Sequence, residues 1–122
     1  MPYVLGKRSK ERLEGVHPDL VSVVERAIEI SNVDFTVLEG VRTRERQKEL
    51  FAKGASKTMN SRHITGHAVD LAPWPISWEK EEFIPIVKAM RQAAEELGID
   101  VVHGHDWGWD SPHHELSRKT YP

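Results

Sequence analysis

The sequence predicts an α+β fold, a small, mostly antiparallel sheet with flanking helices. Three observations carry that prediction. Apolar residues fall at helical spacing in two stretches, Leu20, Val24, Ala27 and Ile28 in one and Phe83, Val87, Met90, Ala94 and Leu97 in the other. Short β-rich or buried runs occur near 34–39, 67–71, 99–102 and 113–116. Helices and strands do not alternate as βαβ units, so a doubly wound parallel sheet is not expected.

Taken in order, Ser9 ahead of Lys10-Glu11-Arg12-Leu13 opens a short helix. His17-Pro18-Asp19 starts the next, because a proline in the first turn lacks only an N–H that would have no helical partner. That helix ends near Ser31-Asn32. Phe35, Thr36, Val37 and Leu38 form a strand that Gly40 breaks. Thr43 caps a helix from about Arg44 to Lys53, closed by Gly54. Residues 55–62 are small and polar and read as a loop. His67 to Leu71 reads as a short buried strand, and Pro73 and Pro75 bracket a turn. A long helix then runs from Glu79 or Glu81 to Leu97 and stops at Gly98, with Pro85 expected in its first turn or as its start and Trp74 and Trp78 packed around it. Ile99–Val102 and His113–Leu116 complete the sheet.

A chain of 122 residues is expected to form one domain, 1–122, with a core that needs no disulfides. There is no cysteine, so a transition metal would have to sit on His, Asp or Glu. The formal net charge of -2 argues against a nucleic-acid binder, and it offers no attraction to an anionic membrane. The N-terminal residues lack the apolar run of a signal peptide, and no stretch approaches the ~20 apolar residues of a membrane span. A soluble protein made in the cytoplasm is expected.

The chemistry concentrates in two segments, Ser61-Arg62-His63-Ile64-Thr65-Gly66-His67-Ala68-Val69-Asp70 and Asp106-Trp107-Gly108-Trp109-Asp110-Ser111-Pro112-His113-His114-Glu115-Leu116. Six of the seven histidines fall in or beside them. Imidazoles and carboxylates without thiolates suit a catalytic zinc site, which uses three protein ligands and leaves one position open. A helical His-Glu-x-x-His arrangement is excluded, because Ile64 follows His63 and Gly66 disfavours a helix.

The two segments resemble the zinc D-alanyl-D-alanine carboxypeptidase and L-alanyl-D-glutamate endopeptidase family, which includes phage endolysins. Its Ser-x-His-x-x-Gly-x-Ala-x-Asp signature is complete here as Ser61, His63, Gly66, Ala68 and Asp70. Its second signature is carried by Asp110, Pro112, His113, Glu115 and Leu116, and a third element by Gly40-Val41-Arg42-Thr43, with Gln47 and Leu50 fitting the helix behind it. The likeness spans about Asp19 to Leu116. Where the family often has Gly-Gly-Asp-Trp, this chain has Gly104-His105-Asp106-Trp107.

The resemblance implies a hedgehog/DD-peptidase-like fold and Zn²⁺ held by His63, Asp70 and His113. It implies Asp110 as general base and Arg42 as the group that stabilises the oxyanion. Ser61, Asp106 and Trp107 are candidate substrate contacts, each with a plainer reading as a turn or packing residue. His67 reads as a strand or supporting residue, His103 and His105 as pocket wall or solvated. His114 stands where an apolar residue is common. The implied function is hydrolysis of the L-alanyl-D-glutamate bond of peptidoglycan stem peptides by a monomeric phage endolysin. Such a protein is made in the host cytoplasm and reaches the cell wall at lysis. A D-alanyl-D-alanine carboxypeptidase or dipeptidase, or a zinc-binding module without turnover, remain as alternatives; Asp110 with Arg42 argues against the last.

Overall fold

In the computed structural model, residues 2–56 and 58–122 are described. Helix α1 (Lys7–Arg12) and helix α2 (Pro18–Ile30) precede strand β1 (Phe35–Glu39). Helix α3 (Arg44–Ala52), strand β2 (Ala68–Pro73) and helix α4 (Lys80–Leu97) follow. Strand β3 (Val101–His103), a 3-10 turn at Gly104–Trp107 and strand β4 (His113–Leu116) end the order. The sheet is antiparallel throughout, in the order β1-β2-β4-β3, as expected for an α+β fold.

Side-chain alternation divides the sheet into two faces. Phe35 and Val37 of β1, Val69 and Leu71 of β2 and Leu116 of β4 join Leu20, Val23, Val24 and Ala27 of α2 and Ile86, Met90 and Ala93 of α4 in one buried core. The opposite parity places Asp70, His113 and Glu115 on the other face. Within β1 a bulge shifts the register, so that Val37 pairs with Leu71 but Glu39 pairs with Asp70. The extra residue moves Glu39 onto the face of Asp70.

β1 is an edge strand, and α1 covers its free backbone. Ser9 Oγ accepts from the Val37 N–H at 3.0 Å and Arg12 Nη1 donates to the Val37 carbonyl at 2.8 Å. An edge paired in this way presents less template to another chain.

Several boundaries differ from the sequence reading. α1 begins at Lys7 rather than Ser9, with Ser9 buried against β1. β2 runs on to Pro73, which pairs with Phe35. β3 starts two residues late because Gly98, at φ 68°, ends α4 and the Ile99 N–H returns to the Ala94 carbonyl at 3.0 Å. Pro85 lies in the second turn of α4; the N–H it lacks would have bonded Glu81, whose exposed position lets water take that carbonyl. Leu97 is exposed, the buried face of the last turns being taken by Ala93 and Ala94. Trp74 and Trp78 are largely exposed rather than packed inside, although Trp78 stacks on Phe83.

Candidate active site

Three elements deliver the polar face. Asp70 stands at the centre of β2, and His113 opens β4 directly across from it in the sheet register. His63 arrives from a tight turn before β2. Ser61 Oγ accepts from the His63 N–H at 3.2 Å, and the His67 N–H reaches the Arg62 carbonyl at 2.9 Å. Gly66 closes the turn at φ 78°, where a Cβ would lie 2.6 Å from the Gly15 carbonyl oxygen. Arg62 clamps the turn from below, its guanidinium donating to the Leu116 carbonyl at 3.2 Å and to that of Tyr121.

The result is a cluster in which one nitrogen of His63, one oxygen of Asp70 and one nitrogen of His113 all lie within 4.8 Å of one another. Asp70 Oδ1 is 3.2 Å from His63 Nε2 and 3.3 Å from His113 Nδ1. The other ring nitrogens are already engaged. His63 Nδ1 lies 2.8 Å from the Gly40 carbonyl, so it must donate there. His113 Nε2 lies 2.8 Å from Glu115 Oε1. With those outward bonds made, His63 Nε2 and His113 Nδ1 are the nitrogens that face Asp70 and, once deprotonated, can offer their lone pairs to a metal, which is how histidines are held for one. Two imidazoles and one carboxylate fit a divalent cation with a position left open.

The charge balance agrees. Burial works against ionised Asp70, but the hydrogen bonds from His113 and His63 outweigh it and hold the carboxyl well below its usual range. Burial likewise opposes a charged His113, yet its bonds to Asp70 and Glu115 push its pKa up to about 9. His113 thus holds its proton between two carboxylates, Asp70 and Glu115.

The cluster lies in a cleft of about 710 Å³ whose walls include Arg42, Ser61, Trp107, Trp109 and Asp110. Arg42 enters from the β1 side. It pairs with Glu39, donates to Gln47 Oε1 at 2.7 Å and lies 3.9 Å from Asp70 Oδ2. Gln47 is fully buried and donates to Ser56 Oγ at 2.7 Å, so the guanidinium sits in a fixed frame. Asp110 enters from the β3 side. Burial and the nearby charge of Asp70 raise its pKa, although His113 pulls the other way. Its loop can approach because residue 104 is glycine: a Cβ there would lie 2.3 Å from the Asp110 carbonyl oxygen. The Trp107 ring lies 5.4 Å from that of His113.

Most of the predicted site residues thus meet in one cleft. Asp106 does not. It pairs with Arg91 of α4 and lines a different groove, so it is not placed to contact a substrate at the cluster. His67 bonds Thr65 and packs near His17. His103 and His114 bond each other at 2.8 Å on the buried side of the sheet, and His105 lies 3.0 Å from Ser111. None of these extra imidazoles orients the cluster. That work falls to the Gly40 carbonyl and Glu115, to which sequence reasoning assigned no role. Glu115 was findable, because residues two apart on a strand share a face. The Gly40 contact had no sequence signal.

The whole chain, residues 1–122, matches the family described as phage L-alanyl-D-glutamate peptidase. It is 40% identical over 129 residues to the L-alanyl-D-glutamate peptidase of Escherichia phage T5, covering 99% of this chain and 94% of that one. Its fold superposes on the crystal structure of Serratia marcescens L-Ala D-Glu endopeptidase ChiX with a TM-score of 0.92 and 45% identity, covering 98% of this chain and 94% of the other.

Proposed function

Because the chain belongs to the phage L-alanyl-D-glutamate peptidase family, we propose that it cuts the L-alanyl-D-glutamate bond of peptidoglycan stem peptides, with Zn²⁺ held by His63 Nε2, Asp70 and His113 Nδ1. The observation that carries this reading is the convergence of those three ligand atoms in the cleft that also holds Asp110 and Arg42. Zn²⁺ bound there supplies Lewis acidity and makes water a nucleophile near neutral pH.

The remaining work belongs to side chains. Asp110 takes a proton from the water that attacks the L-alanyl carbonyl carbon. Burial keeps this carboxyl more basic than usual, so it can also return the proton to the D-glutamate nitrogen as the C–N bond breaks. Arg42, fixed by Glu39 and Gln47, faces the carbonyl oxygen as negative charge builds on it. The products are an L-alanyl carboxylate and a D-glutamyl amine. Residues 1–122 act as one catalytic domain, as a monomer, in the manner of an endolysin that meets the wall of the host at lysis. None of the described helices is long and apolar enough to cross a membrane.

The test is digestion of purified peptidoglycan with and without a strong chelator, followed by mass spectrometry of the new termini. New L-Ala carboxyl and D-Glu amino ends that vanish with chelator are expected. Release of D-Ala instead would overturn the bond assignment, and a chelator-resistant cut would overturn the metal.

A further inference from the structure

An aromatic series leads outward from the cluster. The ring of Trp107 is 5.4 Å from His113, and Trp109 is 5.6 Å from Trp107. Trp109 lines the catalytic cleft and also a second groove of about 230 Å³, shared with Trp78, Lys80, Phe83 and Ser111. Trp78 stands over Phe83 with ring centroids 6.3 Å apart and planes inclined by 26°. Lys80 Nζ reaches the Gly108 carbonyl at 3.4 Å, which joins the start of α4 to the loop that carries both cleft tryptophans. Trp109 is 61% exposed and Trp78 67%, a large apolar surface to leave in water beside a cleft.

The chemistry of the substrate says what belongs there. In peptidoglycan the L-alanyl residue is amide-linked to the lactyl group of a muramic acid. The scissile carbonyl is therefore only about two residue lengths, roughly 7 Å, from a pyranose ring. Two ring-to-ring steps of 5.4 Å and 5.6 Å put Trp109 at most about 11 Å from His113, where a pyranose that begins roughly 7 Å from the scissile carbonyl and extends outward can meet it. A pyranose offers a face of polarised C–H bonds to an aromatic plane, and tryptophan combines a large apolar face with a polar edge. On the proposed L-alanyl-D-glutamate reading, we infer that the groove between Trp78 and Trp109 binds the glycan of the substrate, seating the muramic acid sugar beside the stem peptide.

The test compares kcat/KM of the zinc-loaded protein on a disaccharide stem peptide and on the same peptide with its L-Ala N-acetylated and no sugar. The sugar-bearing substrate should be favoured at least tenfold. Trp78→Ala should reduce that preference to within twofold while leaving cleavage of the acetylated peptide unchanged. Equal cleavage of the two substrates by the unaltered protein, or an equal loss on both in Trp78→Ala, would overturn the inference. A second measurement titrates peptide-free glycan strands into the metal-free protein and follows tryptophan fluorescence. Saturable binding that Trp78→Ala removes supports the groove, and absence of binding overturns it. If neither peptide is cut, the hydrolytic reading falls, and the glycan titration alone decides the groove.

Discussion

His113 and Glu115 stand two residues apart on β4, and the Nε2 hydrogen of His113 goes to Glu115 Oε1 at 2.8 Å. The bond fixes which nitrogen faces Asp70, and the carboxylate makes that nitrogen a stronger donor. Glu115→Ala should therefore weaken zinc binding by about 10–100-fold without removing a ligand. Competition against a chromophoric chelator measures this; unchanged affinity would deny Glu115 the orienting role.

Zinc uptake should expel a proton. Without metal, His113 has its pKa pushed up to about 9, so at pH 7 it is charged, and a metal needs it neutral. Apparent affinity should rise about tenfold per pH unit up to about pH 9 and then level off. Calorimetry in buffers of different ionisation heat would count the proton released at pH 7.

Asp110→Asn keeps the shape of the side chain and removes the proposed base. It should lower kcat by about 10²–10⁴-fold and leave zinc content unchanged. Metal analysis beside steady-state kinetics separates the two effects, and loss of zinc in this variant would make Asp110 a ligand instead.

Arg42→Ala should reduce kcat by about 10²–10³-fold, with a smaller change in KM, if the guanidinium acts on developing charge. A rise in KM alone would move Arg42 to substrate binding.

His103 and His114 set an acid limit on stability. Burial, with Arg91 nearby, lowers His103 to about 4, and burial with its imidazole neighbours lowers His114 well below the usual range. Both are neutral when folded and gain protons on unfolding, so their contribution is complete above about pH 6.5. It shrinks as pH falls toward 4, by about 1.4 kcal/mol per pH unit for each proton taken up. Thermal melts of the chelated protein from pH 7 to 4.5 should show this slope, and His114→Leu should flatten it.

Much of this was legible beforehand. The histidine-rich segments stand out by residue type, the choice of His63, Asp70 and His113 within them comes from their resemblance to the peptidase family, and the antiparallel α+β class follows from short strands that do not alternate with helices. Other parts rest on contacts between distant segments. The bulge that turns Glu39 toward Arg42 depends on pairing with β2. Asp106 looked like a cleft residue until α4 placed Arg91 beside it. Trp78 looked like a packing residue because nothing local shows which side of a helix start meets solvent. Gly40 gives its carbonyl to His63, a partner 23 residues away.

Gly40 also links the proposed metal centre to the first turns of the chain. A Cβ at this position would lie 2.0 Å from the Arg12 carbonyl oxygen, so β1 and the end of α1 are in backbone contact at the residue that orients His63. Anyone attaching a cargo protein or shortening the N-terminus should regard residues 7–12 as part of the catalytic apparatus. Edits there are expected to loosen the proposed zinc site through the carbonyl that Gly40 presents to His63.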